Sequence, residues 1–141
     1  MTSRNLSRSI VIEACTSNLS DVRSFVSDFA EEMHFPPQDV DAITLAVDEA
    51  FTNIIRHAIS STRESVRLEL QSDQKQMAIS LFDEGKSFTP ESAVRPDIHT
   101  LVKEKKKGGM GVFLIHQLMD EVHYHHHGKT NEIRMVKRRT S

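Results

Sequence analysis

The sequence has few of the residues that mark several large classes of protein. Its 141 residues include one cysteine, Cys15, so no internal disulfide forms and a disulfide-stapled secreted scaffold is excluded. No stretch approaches the ~18 uninterrupted apolar residues of a membrane span, and the first residues lead into no signal-peptide-like apolar block. A formal charge of −2 provides no positive excess for bulk attraction to nucleic acid. We therefore expect a cytoplasmic domain that contacts neither nucleic acid nor membrane directly.

The residues that are present have the composition of one globular domain. Hydrophobic residues make up 38% and charged residues 27%, with only five Gly and four Pro, which excludes collagen-like, low-complexity and wholly disordered chains. The length fits a single domain over residues 1–141, and neither an internal repeat nor a linker divides the chain.

The first half of the chain alternates between strand and helix patterns. β-branched residues predict a strand over 9–14, and apolar residues at helical spacing predict a helix from about 19 to 34, with Asn18 as its N-cap. A second, longer helix is predicted from Gln38 to Ser60, with Pro37 suited to its first turn.

The second half contains two hairpins and one more helix. Alternating apolar residues predict strands over 66–70 and 77–81, followed by a long loop without periodicity over 86–107. A helix from Gly108 to about Met119 and strands over 121–126 and 131–137 follow. The resulting order, β-α-α-β-β-loop-α-β-β, predicts an α/β fold with helices on one face of a mixed, largely antiparallel sheet.

The long helix carries the first group of residues that could support chemistry. Glu49, Asn53 and His57 follow one another at intervals of four residues, so they share a stripe beside the apolar one. An Asn side chain is a neutral oxygen ligand suited to Mg²⁺, and a Glu side chain can orient or deprotonate a hydroxyl group. The alternative is an ordinary solvated helix boundary, because this spacing is short and common.

The second group, Asp83-Glu84-Gly85, ends a predicted strand. A carboxylate there, followed by glycine, could accept a hydrogen bond from the exocyclic amine of a purine. A simple turn is the alternative, since Asp and Gly both form turns.

The third group is Gly108-Gly109-Met110-Gly111, at the start of a helix. Glycines there let backbone N–H groups approach a phosphate, which the helix N-terminus favours. A flexible entry to a packed helix is the alternative. Neither the P-loop motif nor the dinucleotide fingerprint occurs in the chain.

Two further clusters carry less chemical information. The histidines at 123 and 125–127 would alternate between the two faces of a strand, and no cysteine cluster accompanies them, so a metal site is disfavoured. The lysines at 103 and 105–107 are typical of a solvated loop.

The three groups occur in an order that resembles the GHKL ATPase superfamily, and within it the anti-sigma-factor serine kinases of the RsbW and SpoIIAB type. DEAFTNIIRHA at 48–58 is similar to their N box, and LFDEGKSFTP at 81–90 to their first glycine box. GGMGVFLIHQLMDEV at 108–122 is similar to the second glycine box, and NEIRMVKR at 131–138 to the last strand. The resemblance covers essentially the whole chain and implies a two-layer sandwich of the Bergerat type.

The resemblance implies a role for each matching residue. Glu49 would be the general base or would orient the attacking hydroxyl, Asn53 would be the Mg²⁺ ligand, and His57 would be structural. Asp83 would accept a hydrogen bond from the adenine amino group, and Gly85 would permit close approach.

The same resemblance assigns the phosphates of ATP to three glycines, Gly108, Gly109 and Gly111, beneath a lid over residues 86–107. Ser87 stands where the superfamily often has a second glycine, as in the RsbW branch. Many relatives have a Thr near the adenine in the last strand; here Thr130 and Asn131 are both candidates.

The function that the resemblance implies is that of an ATP-dependent serine/threonine protein kinase and anti-sigma factor. It would phosphorylate a serine of an anti-anti-sigma (STAS-domain) protein, sequester a sigma factor, use Mg²⁺ and form a homodimer. Two alternatives stay open. One is an ATP-binding partner-switching module without kinase activity. The other is a detached histidine-kinase catalytic domain, disfavoured because no helical hairpin with a phosphoacceptor histidine precedes residue 48.

Overall fold

The computed structural model describes residues 5–57, 65–84 and 109–140. The elements are the strand β1 (Leu6–Glu13), a 3₁₀ turn (Thr16–Asn18), the helices α1 (Leu19–Glu32) and α2 (Pro37–His57), the strands β2 (Ser65–Ser72) and β3 (Gln76–Asp83), the helix α3 (Gly109–Leu118), and the strands β4 (Glu121–His127) and β5 (Thr130–Arg138). Their order is the one that the periodicity predicts. The predicted lid over 86–107 lies outside the described residues.

The five strands form one sheet in the order β1-β2-β3-β5-β4. Each neighbouring pair is antiparallel. The helices pack against one another, and α2 contacts the central strands β3 and β5. The prediction of an α/β two-layer fold with a largely antiparallel sheet is therefore confirmed. In the described part of the chain, no helix combines the length and the apolar content needed to cross a membrane.

The core lies between the sheet and the helices. Alternate residues of β2 and β3 point inward, and the apolar stripes of α1 and α2 cover them, as the two periods of strand and helix require. The largest fully buried side chains include Phe29, Phe51, Ile43, Leu68, Leu70, Met77, Ile79 and Leu81. The stripes predicted for both helices are confirmed by this burial.

Strand β3 is buried on both of its faces, although alternation alone predicts one solvated face. On the face away from the helices, Ala78 and Ser80 are each only 7% exposed. These side chains are short, and longer ones from the neighbouring strands cover them; Glu132 of β5 accepts a hydrogen bond from the Ser80 hydroxyl at 2.9 Å. The outer face of β3 is therefore buried because its side chains are shorter than those of the adjacent strands.

Asn18 directly precedes α1, as predicted, but its side chain makes no capping hydrogen bond to the helix. The residue belongs to the 3₁₀ turn, and its Nδ2 donates to the carbonyl of Glu13 at 2.9 Å. The side chain therefore fastens the turn to the end of β1 instead of satisfying an amide of α1.

The residues after β5 tie the end of the sheet to the start of α2. The backbone N–H and hydroxyl of Thr140 donate to the carboxylate of Asp39 at 2.8 and 2.6 Å, and Asp39 is only 1% exposed. Arg139 donates to the carbonyls of Gln74, His34 and Met33, and its guanidinium lies 4.1 Å from the Phe35 ring centroid. These contacts fix where α2, the helix with the first candidate site residues, begins.

Candidate functional site

The helix α2 presents two of the predicted site residues on one stripe. Glu49 and Asn53 are both half-buried, and they lie one helical turn apart. The neighbouring positions Val47 and Ala50 are buried in the core, so the stripe lies at the boundary between core and solvent. His57 is the last residue of the helix; its side chain is outside what the structure describes.

The side chains of Glu49 and the preceding Asp48 diverge by about 100° around α2 and have different surroundings. Asp48 accepts a hydrogen bond from Arg23 of α1 at 2.9 Å, which neutralises its charge. The Glu49 carboxylate has neither a hydrogen bond nor an ion pair with the described residues. Of two adjacent carboxylates, Glu49 is therefore the one available to a ligand.

Arg56 stands beside Asn53, a proximity that the sequence reasoning missed. Its Nη1 donates to the Asn53 Oδ1 at 3.4 Å, a long hydrogen bond at the surface of the helix. The signal in the sequence is the spacing of three residues, which places both side chains on one face of a helix. The arrangement brings a permanent positive charge next to the amide that is predicted to bind magnesium.

Asp83 is the last residue of β3, and Asn131 lies directly opposite it on β5. Both side chains are half-buried, and the Asn131 Nδ2 donates to the Asp83 Oδ1 at 3.4 Å. Thr130, one residue earlier, is paired with His127 of β4 and points to the opposite face of the sheet. The register thus brings Asn131, and not Thr130, next to Asp83.

The glycine-rich segment opens α3. Gly109 and Gly111 lie in its first turn, and this turn contains no acidic residue, so the positive end of the helix dipole faces no carboxylate of its own helix. The helix packs against α2, and Ile115 is fully buried in the shared core. Gly85 and Gly108 lie outside the described residues.

The donor set fits a magnesium-bound nucleotide by its chemistry. Asn53 supplies a neutral amide oxygen, a ligand type that Mg²⁺ takes in proteins, and Glu49 supplies a carboxylate that can accept a proton one turn away. The N-terminus of α3, in the same helix layer, is an end that favours phosphate. Asp83 with Asn131 provides a carboxylate aligned by a hydrogen bond, suited to an amine.

Three of the four histidines of β4 lie on another surface, whereas His126 is paired with Asn131 on the face of the candidate site. His123, His125 and His127 form a row on the sheet face away from the helices, with ring centroids about 6 Å apart. His123 contacts Glu121 at 3.0 Å, and this hydrogen bond is the main cause that lowers the pKa of the Glu121 carboxyl. His127 contacts Glu132 at 2.9 Å. Within the described ranges, no group of three or more such ligands is placed to hold a metal ion.

The family follows from a comparison with known proteins. A profile described as "Histidine kinase-like ATPase domain" matches residues 12–137, nearly the whole chain. The chain belongs to the histidine kinase-like ATPase family. The GHKL resemblance predicted from the three boxes is thereby confirmed.

Several relatives of the chain are named serine-protein kinase RsbW. The chain is 29% identical over 119 residues to the serine-protein kinase RsbW of Bacillus mycoides, covering 82% of this chain and 74% of that protein. It is 33% identical over 106 residues to RsbW of Halalkalibacterium halodurans, covering 72% of this chain and 64% of that protein. The RsbW-type assignment is confirmed by these matches.

Two solved structures share the fold. The structure of the RsbU and RsbW domains of Rv1364c from Mycobacterium tuberculosis matches with a TM-score of 0.71 and 14% identity, covering 96% of this chain and 33% of that one. The SiaB-SiaC complex from Pseudomonas aeruginosa matches with a TM-score of 0.51 and 10% identity, covering 92% and 89% of the respective chains. At these identities the likeness concerns the fold alone.

Proposed function

We propose that the protein is an ATP-dependent serine/threonine protein kinase and anti-sigma factor whose substrate is a STAS-domain protein. The observation that carries the proposal is the half-buried Glu49, which has no bonded partner among the described residues and lies one turn before Asn53. Such a carboxylate beside a magnesium ligand is what transfer of a phosphoryl group to a hydroxyl needs. Membership of a family of ATPases and the name of the RsbW relatives support the same activity.

Glu49 would act on the substrate serine. It orients the serine hydroxyl and accepts its proton as the hydroxyl oxygen bonds to the γ-phosphorus of ATP, while the bond to the β-phosphate oxygen breaks and ADP leaves. Phosphoryl transfer depends mainly on positioning and charge neutralisation. One carboxylate, one helix N-terminus and a metal ligand are therefore sufficient machinery.

The remaining candidate residues would bind the nucleotide. Asp83, held by Asn131, accepts a hydrogen bond from the adenine amino group, and Gly85 allows the base to approach. The glycines at 108, 109 and 111 accommodate the phosphates, and Asn53 is the protein ligand of Mg²⁺. The metal, when bound, supplies neutralisation of phosphate charge.

The bound nucleotide, ATP or ADP, would determine which partner protein is bound. A ligand shifts the equilibrium between two states of a protein only when it binds one state more tightly than the other. The name RsbW of the relatives supports a partner-switching role. We propose that the protein works in the cytoplasm as a homodimer and regulates transcription by sequestering a sigma factor.

Incubation with labelled ATP, Mg²⁺ and a candidate STAS-domain protein tests the kinase activity. We expect label on the STAS protein with the wild-type chain and almost none with Glu49→Gln. Asp48→Asn is the matched control: it removes a carboxylate from the adjacent residue, which is already paired with Arg23 of α1. This variant should retain nearly full transfer.

The other outcomes separate the alternatives. Binding of ATP without transfer to any partner indicates a partner-switching module that lacks kinase activity. Acid-labile label on a partner histidine indicates a histidine-kinase catalytic domain. Equal loss of transfer in Glu49→Gln and Asp48→Asn contradicts the role assigned to Glu49.

A further inference from the structure

A leucine lies exposed on the helix that carries Glu49. In the described part of the chain the exposed large hydrophobic residues are Leu6, Val11 and Leu45, and of these Leu45 alone belongs to the helix layer. It is 43% exposed, whereas Ile43 and Val47, two positions before and after it, are completely buried. At about 100° per residue, Leu45 therefore points away from the sheet.

The position of Leu45 relative to the candidate site follows from helix geometry. It precedes Glu49 by four residues, so the two side chains are neighbours on the surface, about 6 Å apart along the helix axis. Any protein that presents a hydroxyl group to Glu49 must pass within one turn of Leu45.

The polar residues around Leu45 define the charge that a partner would meet. Asp41, one turn earlier on the same surface, is exposed and has neither a hydrogen bond nor an ion pair with the described residues. Asp48 also lies on this surface, but its carboxylate is paired with Arg23. Leu45 is thus flanked by two carboxylates without an ion pair among the described residues: Asp41 one turn before it and Glu49 one turn after it.

We infer that the phosphoacceptor protein docks on Leu45 and Asp41. The phosphoacceptor would place an apolar side chain on Leu45 and an adjacent Lys or Arg beside Asp41. The inference rests on the proposed kinase function and adds a docking residue to it. Burial of the exposed part of Leu45 would supply affinity. Asp41 would select a basic neighbour and speed the encounter. Neither residue is among those proposed to bind the nucleotide, so both would determine substrate affinity and not the chemical step.

Binding of the STAS-domain protein tests the inference without relying on turnover. All variants are made in the Glu49→Gln chain with ATP and Mg²⁺, and the Kd for the STAS protein is measured by calorimetry. We expect Leu45→Ser to raise this Kd about tenfold and Leu45→Met to leave it nearly unchanged. Asp41→Asn should raise it about threefold and weaken its dependence on salt.

Two control variants make equivalent changes on the other side of the molecule. Val11→Ser removes a more exposed hydrophobic residue, and Glu69→Gln removes a negative charge, both on the sheet face away from the helices. Neither should change the Kd. Each variant's unfolding curve and ATP affinity should match those of the parent chain.

The result that overturns the inference is a Kd for Leu45→Ser and Asp41→Asn equal to that of the two controls. No measurable binding of the STAS protein overturns it as well. Failure of the kinase proposal is a different result, namely tight binding of the STAS protein without transfer of label by the chain that retains Glu49.

Discussion

Asn131 lies across the sheet from Asp83, and its side chain donates to the carboxylate that is proposed to recognise adenine. Removing this donor in Asn131→Ala should leave the carboxylate less well oriented. We expect the Kd for ADP to rise about tenfold, the equivalent of one hydrogen bond to a charged group. Calorimetric titration with ADP and Mg²⁺ measures it.

Thr130→Ala is the matched control for that experiment, because Thr130 points to the opposite face of the sheet. Its ADP affinity should equal that of the wild type. A larger loss in Thr130→Ala than in Asn131→Ala would assign the base contact to Thr130 instead.

Tyr124 of β4 makes stability depend on pH in the alkaline range. Burial raises the pKa of Tyr124 to about 12, whereas an unfolded chain has the ordinary value of 10. The folded form therefore keeps the proton while the unfolded form loses it, and stability that is fully present below pH 10 is lost as the pH rises toward 12.

The comparison with Tyr124→Phe isolates this contribution. Between about pH 9 and about pH 11 the wild type should lose about 1 kcal/mol more unfolding free energy than Tyr124→Phe. Urea unfolding of both proteins at the two pH values measures the difference. Parallel losses in both proteins would mean that the ionised phenol is accommodated in the fold.

A residue's place in the site could be predicted from the sequence where its neighbours lie on the same helix. It could not be predicted where its neighbours are set by the register of two paired strands. The stripe of Glu49 and Asn53 follows from spacing within one helix. The choice between Thr130 and Asn131 could not be made from the sequence, because a shift of one residue in register exchanges the two faces of a strand. Leu45 was detectable in principle, as an apolar residue out of phase with the stripe through Ile43 and Val47.

At the level of elements, the helices and strands were predictable because apolar residues recur every three to four positions in the helices and every second position in the strands. Pro37 begins α2, and the alternating runs became β2 and β3. Contacts between distant parts of the chain could not be predicted. The hydrogen bonds of Arg139 join residues more than 100 positions apart and leave no local pattern in the sequence.

Arg139 tests how strongly the end of the chain holds the connection between α1 and α2. Arg139→Ala removes the hydrogen bonds to three backbone carbonyls. It also removes the contact between the guanidinium and the Phe35 ring. We expect a loss of about 2 kcal/mol in the free energy of unfolding, measured by urea denaturation.

Arg23→Ala is the control for Arg139→Ala, since Arg23 makes one exposed ion pair, with Asp48. Exposed pairs of this kind contribute only about 0.5 kcal/mol. Equal losses in the two variants would show that Arg139 is no more than an ordinary surface arginine.

For the whole molecule, the position of β5 between β3 and β4 is what brings Asp83 and Asn131 together. Periodicity gives the strands but not their order, because the last strand could equally have been placed at an edge. The family resemblance supplied the fold as a whole. The position of β5 therefore places the last strand beside the strand that carries the first glycine box, although Asp83 and Asn131 are 48 positions apart in the sequence.

Nucleotide binding should stabilise the whole domain, since a ligand that binds only the folded state adds its binding free energy to folding. At an ADP concentration of about 100 times Kd the gain is about 2.7 kcal/mol, which corresponds to a Tm increase of about 8 °C for a domain of this size. Scanning calorimetry with ADP and Mg²⁺ measures the shift.

Removal of magnesium by EDTA should reduce that increase in the wild type and have little effect in Asn53→Ala, because this variant lacks the proposed metal ligand. Asn18→Ala, which removes an amide from the turn before α1, is the control and should respond to EDTA as the wild type does. If Asn53→Ala keeps the full magnesium dependence, the metal is held without Asn53, and the N box of this chain has to be reassigned.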